Sequence, residues 1–367
     1  MFGVILISVV TLMQFYVFRR AASVPFILRY LSRKQLFGIS AFLWTMLVIS
    51  RVIDALHPGL LATVTEFIGM AWLGMLFLLL VSLLTVDVAT GFGFWFKPYQ
   101  PKLRAAALLV GGVLSAIALV QGTRAPIIQP YEVYLPELPH ELDGTVMVAL
   151  TDMHLGSLLG ERWLSARVAQ VEAEQPDVIV LIGDIFEGHH APEQALLTGL
   201  SRLSAPMGVW AVLGNHESYG PHPEHNAMFK MAGAHLLRNT WVELRPGLVL
   251  AGVDNVATQA EADTFVAAAL QGHPPVSTIL LSHEPILAAP AARKGVNLMI
   301  SGHTHGGQIW PFGYVVQQRF PLFIGMYTLQ DISVIISRGT GTWGPRMRLW
   351  RPAEILRITL HRGSRTL

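Results

Sequence analysis

Cysteine is absent from all 367 residues, which excludes disulfides and thiolate metal ligands and leaves the redox compartment unmarked. Charge is scarce as well. Lys, Arg, Asp and Glu make up 14% of the chain, against roughly 25% in an ordinary soluble protein, while hydrophobic residues reach 52% and the mean hydropathy is +0.47. That balance excludes a wholly soluble chain. Acids are rarest before Pro126, where Asp54, Glu66 and Asp87 stand against about ten Lys and Arg; the remainder has about sixteen basic and twenty-one acidic residues. Two unlike regions are therefore fused. The acidic second region lacks a basic cluster with interleaved aromatics, so no nucleic-acid partner is expected.

Four apolar stretches in the first region approach the roughly twenty residues that a helix needs to cross hydrocarbon: Phe2 to Phe18, Leu36 to Ser50, Phe67 to Val86 and Ala105 to Val120. Backbone groups in lipid must be satisfied internally, which predicts a helix for each. Arg19 and Arg20 follow the first stretch rather than precede it, the reverse of a cleavable leader, so this stretch is expected to stay. Arg19, Arg20, Arg29, Arg33 and Lys34 lie between the first two stretches, and Lys97, Lys102 and Arg104 between the last two. The positive-inside rule then expects both basic loops in the cytoplasm and everything after Arg124 outside it. Phe92, Phe94, Trp95, Phe96 and Tyr99 fit an interfacial aromatic belt.

Prolines and spaced acids from Gln129 to Pro139 read as an extended tether. The expected organisation is a transmembrane region over 1–124, a linker over 125–143 and a second domain over 144–363. In that domain Thr145–Leu150, Val178–Ile182, Val209–Leu213, Val249–Val253, Thr278–Leu281 and Leu298–Ile300 are continuous apolar runs of strand length. Such runs suit strands covered on both faces. Helical periodicity over Leu164–Glu174, Ala191–Leu203 and Glu261–Leu270 completes an α/β pattern.

Polar residues follow the strand ends: Asp152 and His154, Asp184, Asn215 and His216, His283, then His303 and His305. Ligands of open α/β sheets bind outside the carboxyl ends of the strands, so these loops are expected to meet at one edge. Taken singly, Asp-x-His, Gly-Asp and Gly-Asn-His are ordinary turn or cap sequences. His303 and His305 would face the same way, as a metal clamp, if their segment were a strand. The ordered combination is what carries information.

The motifs TDMHLG, IGDIFEG, LGNHESYG, LSHEP and SGHTHGG resemble those of the calcineurin-like metallophosphoesterase superfamily, a resemblance that covers about Gly144 to His361. The membrane lead-in and the tail SRGTGTWGPRMRLWRPAEI are similar to its bacterial membrane-associated branch, which includes extracytoplasmic phosphodiesterases of cell envelopes. The resemblance implies a four-layer α-β-β-α sandwich behind about four transmembrane helices. It implies one metal ion on Asp152, His154 and His305, a second on Asn215, His283 and His303, and Asp184 bridging the two. Carboxylate, imidazole and amide ligands suit Mn²⁺, Fe²⁺ or Zn²⁺. Two such ions about 3.5 to 4 Å apart would activate a bridging hydroxide, and only two acids leave the centre positive enough to attract a phosphate. His216 is the implied general acid toward the leaving-group oxygen.

Glu217 and Glu187 are candidates to orient His216 and raise its pKa. His189, His190, His222 and His225 could line a pocket, Arg338, Arg346 and Arg348 could pair with a substrate phosphate, and Asp254 reads as structural. The expected function is hydrolysis of a phosphate ester, a diester by preference, at the outer face of the bacterial cytoplasmic membrane. A second reading keeps the chemistry but cleaves the pyrophosphate of a nucleotide-linked lipid A precursor of the UDP-2,3-diacylglucosamine type, with a cytoplasmic site and a lipid-linked substrate. A third is a non-catalytic sensor or scaffold stabilised by metal. Transport is disfavoured, because the four stretches hold no pair of acid and base that would mark an ion path.

Overall fold

The computed structural model describes residues 2–56, 59–187, 194–218, 225–256 and 258–364; the side chains of 2–3, 50–56, 218, 225 and 226 also lie outside the description. The chain forms two compact units, one of Met1–Arg124 with Gly344–Trp350, the other of Ala125–Trp343 with Arg351–Leu367.

Helices α1 (Phe2–Ala21), α2 (Pro25–Tyr30), α3 (Arg33–Leu56), α4 (Leu60–Ala89) and α5 (Gln100–Thr123) build the first unit. Among the described residues three spans, Val4–Ala21, Leu60–Ala89 and Lys97–Thr123, are long and apolar enough to cross a membrane. The remaining predicted stretch, Leu36 to Ser50, lies within the 24-residue α3. Val10, Val17, Trp72, Leu76, Leu83 and Ala107 form the interior. Polar side chains inside it satisfy one another, as an apolar surrounding requires. Gln14 accepts from the Trp72 indole at 2.9 Å and donates to the Ser40 carbonyl at 2.9 Å, joining α1 to α4 and α3. A Cβ on Gly111 would approach the Leu79 Cα to 3.0 Å, so glycine permits the close crossing of α5 and α4. At one end, fully buried Asp87 meets Arg20 Nε at 2.5 Å and Arg104 Nη2 at 3.2 Å, and accepts from the Tyr16 hydroxyl.

The second unit contains two six-stranded sheets. The first has the order β1 (Ile127–Leu135), β12 (Glu354–Arg362), β2 (Thr145–Leu150), β3 (Val178–Ile182), β4 (Val209–Val212) and β5 (His235–Leu236). The second has the order β10 (Gly325–Leu329), β11 (Ile332–Ile336), β9 (Leu298–Ser301), β8 (Ser277–Leu281), β7 (Leu248–Gly252) and β6 (Thr240–Arg245). β2, β3 and β4 run parallel, as do β7, β8 and β9.

Side-chain alternation makes the layers. Met147 and Ala149 of β2, Val178, Val180 and Ile182 of β3, and Ile279 and Leu281 of β8 enter the core between the sheets. Val148, Leu150, Ile179 and Leu181 point the other way, onto Leu164 and Val168 of α6 (Glu161–Ala173), Leu197 and Leu200 of α7 (Gln194–Leu200) and Phe229 of α9 (His225–Met231). Leu280 and Met299 meet Val266 of α10 (Ala262–Ala269) and Ala291 of α11 (Ala288–Arg293). The resulting α-β-β-α sandwich is the expected fold class, and its fully apolar runs are explained by burial on both faces.

Two boundaries differ from expectation. Residues 127–135 are not a free tether: they form β1, paired in parallel with β12. β1 is an edge strand, where Pro130 costs no interior ladder bond, so the prolines that disguised it are tolerated there. The second domain is also not continuous to 363, because Gly344–Trp350 packs with the helices, the Arg348 N–H donating to the Ala118 carbonyl at 2.9 Å. A Cβ on Gly122 would come within 2.4 Å of the Arg346 carbonyl oxygen, which shows how closely that segment lies on α5.

Removing Asp87 would leave two arginines facing each other in a low-dielectric interior. Breaking such a buried pair typically costs about 3–5 kcal/mol. Asp87→Ala should therefore lower the midpoint of thermal unfolding in detergent markedly, and Asp87→Glu should recover part of it, as measured by circular dichroism of the full chain.

Candidate metal centre

The loops after β2, β3, β4, β8 and β9 converge, three from one sheet and two from the other. All eight residues named from the motifs are brought together. Asp152, His154 and His305 form one group, Asp184, His283 and His303 a second, and His154, Asp184 and His216 a third, the ligand-type atoms of each lying within 4.8 Å of one another. Asn215 joins the second group through Oδ1, 2.8 Å from His303 Nδ1. Asp184 lies between the groups, its Oδ2 3.1 Å from His283 Nε2 and 3.9 Å from His154 Nε2.

Local sequence explains how side chains crowd so closely. Asp152, His154, Asp184, His303 and His305 all have positive φ, between 49° and 70°. This left-handed backbone is uncommon outside glycine and stores strain of order 1–3 kcal/mol per residue, which the surrounding packing must enforce. The preceding glycines make room. A Cβ on Gly183 would sit 2.5 Å from His283 Nδ1, one on Gly214 2.2 Å from Asp184 Oδ1, and one on Gly302 2.3 Å from Asp152 Oδ2. The glycine of Gly-Asp, Gly-Asn-His and Gly-His is thus a steric requirement of the side chains of neighbouring loops.

The His303–His305 segment is not a strand. It leaves β9, turns through Thr304, whose hydroxyl accepts from the Gly306 N–H, and sends the two imidazoles to different groups. The clamp expected from strand alternation is replaced by one histidine for each group.

Outer hydrogen bonds fix the rings. His283 Nδ1 lies 3.0 Å from the Ile182 carbonyl, an acceptor only, so that nitrogen carries a proton and Nε2 faces Asp184. His154 Nδ1 lies 2.5 Å from Glu187 Oε2, leaving Nε2 3.1 Å from His305 Nε2. Among the described residues every ion pair of Asp152 and Asp184 is with an imidazole. Two buried carboxylates, four imidazoles and an amide oxygen converging in this way fit divalent cations, with second partners holding the rings as metal ligands require.

The electrostatics follow from burial and these neighbours. Burial pushes Asp152 up, only partly opposed by His283. Burial also acts to raise Asp184, but the nearby histidines, His283 first, outweigh it and hold the carboxyl well below the usual range. Burial disfavours charge on His283, yet Asp184 and Asp152 lift it to about 10. Burial and the adjacent His283 drive His303 down to about 3. His154 is raised, since Glu187 overcomes its burial.

Glu187 and Glu217 separate clearly. Glu187 Oε2 lies 2.5 Å from His154 Nδ1 and 3.3 Å from His216 Nδ1, so one carboxylate oxygen holds both rings. Glu217 does not orient His216. It is buried and accepts backbone N–H bonds from Asp184, Ile185, Phe186 and Gly214 at 2.7 to 3.1 Å, pinning the β3 and β4 loops together. His216 itself is lowered, not raised, because burial outweighs Asp184 and Glu187.

Sequence reading missed three neighbours. The Phe320 ring stands edge-on to His303 with centroids 5.0 Å apart, Trp343 stands edge-on to His216 at 6.0 Å, and Gln308 binds the Trp343 backbone. Only their place after the histidine motif could have drawn notice.

The arginines proposed for substrate are otherwise engaged. Arg338 forms an ion pair with buried Glu354 and bonds to Gln129, while Arg346 and Arg348 belong to the unit of the membrane helices. Asp254 is bonded by Arg238 at 2.9 and 3.0 Å. His189, His190 and His222 lie outside the described residues, as does the side chain of His225.

Residues 147–307 match the model of the calcineurin-like phosphoesterase family. The chain is 32% identical over 280 residues to a bovine transmembrane protein with metallophosphoesterase domain, a match covering 70% of this chain and 62% of that protein. It is 34% identical over 239 residues to an uncharacterized metallophosphoesterase of Aquifex aeolicus, covering 64% of this chain and 91% of the relative. An uncharacterized metallophosphoesterase of Campylobacter jejuni is 29% identical over 274 residues, with 72% of each chain covered. With its convergent loops, its apolar helices and these relatives, the chain belongs to the calcineurin-like metallophosphoesterases, as a membrane protein of that family.

Proposed function

We propose that this protein is a membrane-anchored dimetal phosphoesterase that hydrolyses phosphate esters, diesters by preference, with its catalytic domain outside the cytoplasm of a bacterial cell. The observation that carries this reading is Asp184, a single carboxylate within reach of both histidine groups. In it, Asp152, His154 and His305 would hold one divalent ion and Asn215, His283 and His303 a second, with Asp184 serving both; Mn²⁺, Fe²⁺ or Zn²⁺ would suit these ligands. When bound, such ions supply Lewis acidity and an activated water.

The chain's own groups supply the rest. Asp184 Oδ1 accepts the His216 backbone N–H at 2.9 Å, which fixes His216 relative to the shared carboxylate. Glu187 Oε2 lies 3.3 Å from His216 Nδ1, and in this reading Nε2 serves the leaving oxygen. Burial makes the imidazolium a stronger acid and a less populated one, and Glu187 and Asp184 moderate that drop. Glu217 keeps the two loops in register without touching the reacting groups.

The orientation rests on loop charge. The basic residues of Arg19–Lys34 and Lys97–Arg104 favour the cytoplasm. If α3 is counted as a fourth span, the second unit falls on the opposite face, with the bilayer as the protein's permanent partner.

Purified full chain with Mn²⁺ should hydrolyse bis(p-nitrophenyl) phosphate, and chelation, Asp184→Asn or His305→Ala should return the rate to background; equal inertness of wild type and variants across metals and esters would overturn the enzymatic reading. His216→Ala should cost roughly 10²–10⁴-fold with an alkyl leaving group and much less with p-nitrophenolate, which needs no proton, a contrast read from kcat for the two ester types. A reporter fused after Leu367 should be active only when it functions outside the cytoplasm. A tail active only in the cytoplasm would favour the nucleotide-lipid pyrophosphohydrolase reading instead.

A further inference from the structure

Large aromatic side chains beside a charged site are normally packed away, and Trp343 is not. It is 47% exposed while its ring stands edge-on to His216, the planes at 78° and the centroids 6.0 Å apart. Its backbone N–H and carbonyl are both hydrogen-bonded to one side chain. Trp343 N–H donates to Gln308 Oε1 and Gln308 Nε2 donates to the Trp343 carbonyl, both at 3.0 Å. Gln308, nearly buried, itself takes a positive φ of 46° three residues after His305.

Thr340 and Gly341, three and two residues before Trp343, continue the pattern. Thr340 N–H donates to the Thr151 carbonyl at 2.8 Å and Gly341 N–H to the Asp152 carbonyl at 3.0 Å. A Cβ on Gly341 would come within 2.1 Å of the Met153 carbonyl oxygen, so the segment lies flush on the loop of Asp152 and His154. Thr340 is further tied through its hydroxyl to the Glu354 carbonyl. The segment is thus fixed against two of the loops that build the centre, and the indole is its exposed aromatic face.

We infer that Trp343 is a specificity-determining residue: a preorganised wall on the leaving-group side of the centre that favours phosphate esters whose leaving group presents a flat π face. The inference rests on the phosphoesterase reading, in which His216 faces the leaving oxygen. A rigid indole gains contact with such a group at little ordering cost, because the backbone is already fixed by Gln308 and the β2 loop. An alkyl leaving group gains far less from the same surface, since aromatic pairs attract beyond their buried area.

Phenylphosphonate and cyclohexylphosphonate share the charged head and a ring of similar size and differ chiefly in the π face, so their relative affinity for the Mn²⁺-loaded full chain isolates the wall from turnover. Calorimetry should give phenylphosphonate an advantage of about threefold to tenfold, the factor an aromatic pair supplies. Trp343→Ala should bring that ratio close to one, and Trp343→Phe should keep most of it. In turnover, Trp343→Ala should raise KM for bis(p-nitrophenyl) phosphate more than it lowers kcat. A ratio unaltered in Trp343→Ala, or both ligands lost together in that variant, overturns the inference while leaving the phosphoesterase reading intact. Failure of wild type to bind either phosphonate while it still hydrolyses bis(p-nitrophenyl) phosphate overturns the inference alone.

Discussion

Two buried carboxylates within one small volume are the constraint around which the second unit is arranged. Asp152 is fully buried and Asp184 nearly so, and ionised carboxylates in such surroundings persist only with countercharge and donors at hand. The sheets meet this demand by ending their parallel strands at a common edge, so that five loops carry imidazoles to the same place. Neighbouring rings cannot all be protonated: His283 is raised while His303, 3.3 Å from it, is driven down. Donor atoms that compete for protons in this way are good ligands for a multivalent cation.

The same crowding accounts for what could be read from the sequence. Asp, Asn and His stand at the positions that face the centre, and glycine stands where a Cβ would strike the side chain of the next loop, as with Gly183 and His283 or Gly214 and Asp184. Chemistry and sterics both act within three or four residues of a strand end, so the motifs are short and survive as text. The six apolar runs were legible for a related reason, since burial on both faces leaves little choice but aliphatic residues.

What could not be read depends on partners distant in the chain. β1 exists because β12, more than two hundred residues later, pairs with it, and Pro130 conceals that pairing from any local pattern. Gly344–Trp350 reads as part of the tail of the second domain, yet packs with the membrane helices. Glu187 and Glu217 are indistinguishable as letters. In space, Glu217 is committed to four backbone N–H groups and has no capacity left to steer a ring, whereas a single oxygen of Glu187 serves His154 and His216 together. The strained left-handed turns were illegible too, because they occur at aspartate and histidine rather than at the glycines that usually announce them.

The two units solve one electrostatic problem differently, and the difference separates structure from function. In the membrane unit, buried Asp87 is neutralised by Arg20 and Arg104. That carboxylate ties α4 to α1 and α5 through two guanidinium groups, which offer no lone pair to a metal. In the second unit, Asp152 and Asp184 are matched by histidines, whose ring nitrogens can bind metal once they carry no proton. A site built only for stability would be better served by arginine, which offers a fixed charge and a two-pronged fork. Among the described residues imidazole stands at every ion pair of Asp152 and Asp184, and outer bonds to Ile182 and Glu187 already set the rings, which is the arrangement that ligands of a divalent cation require.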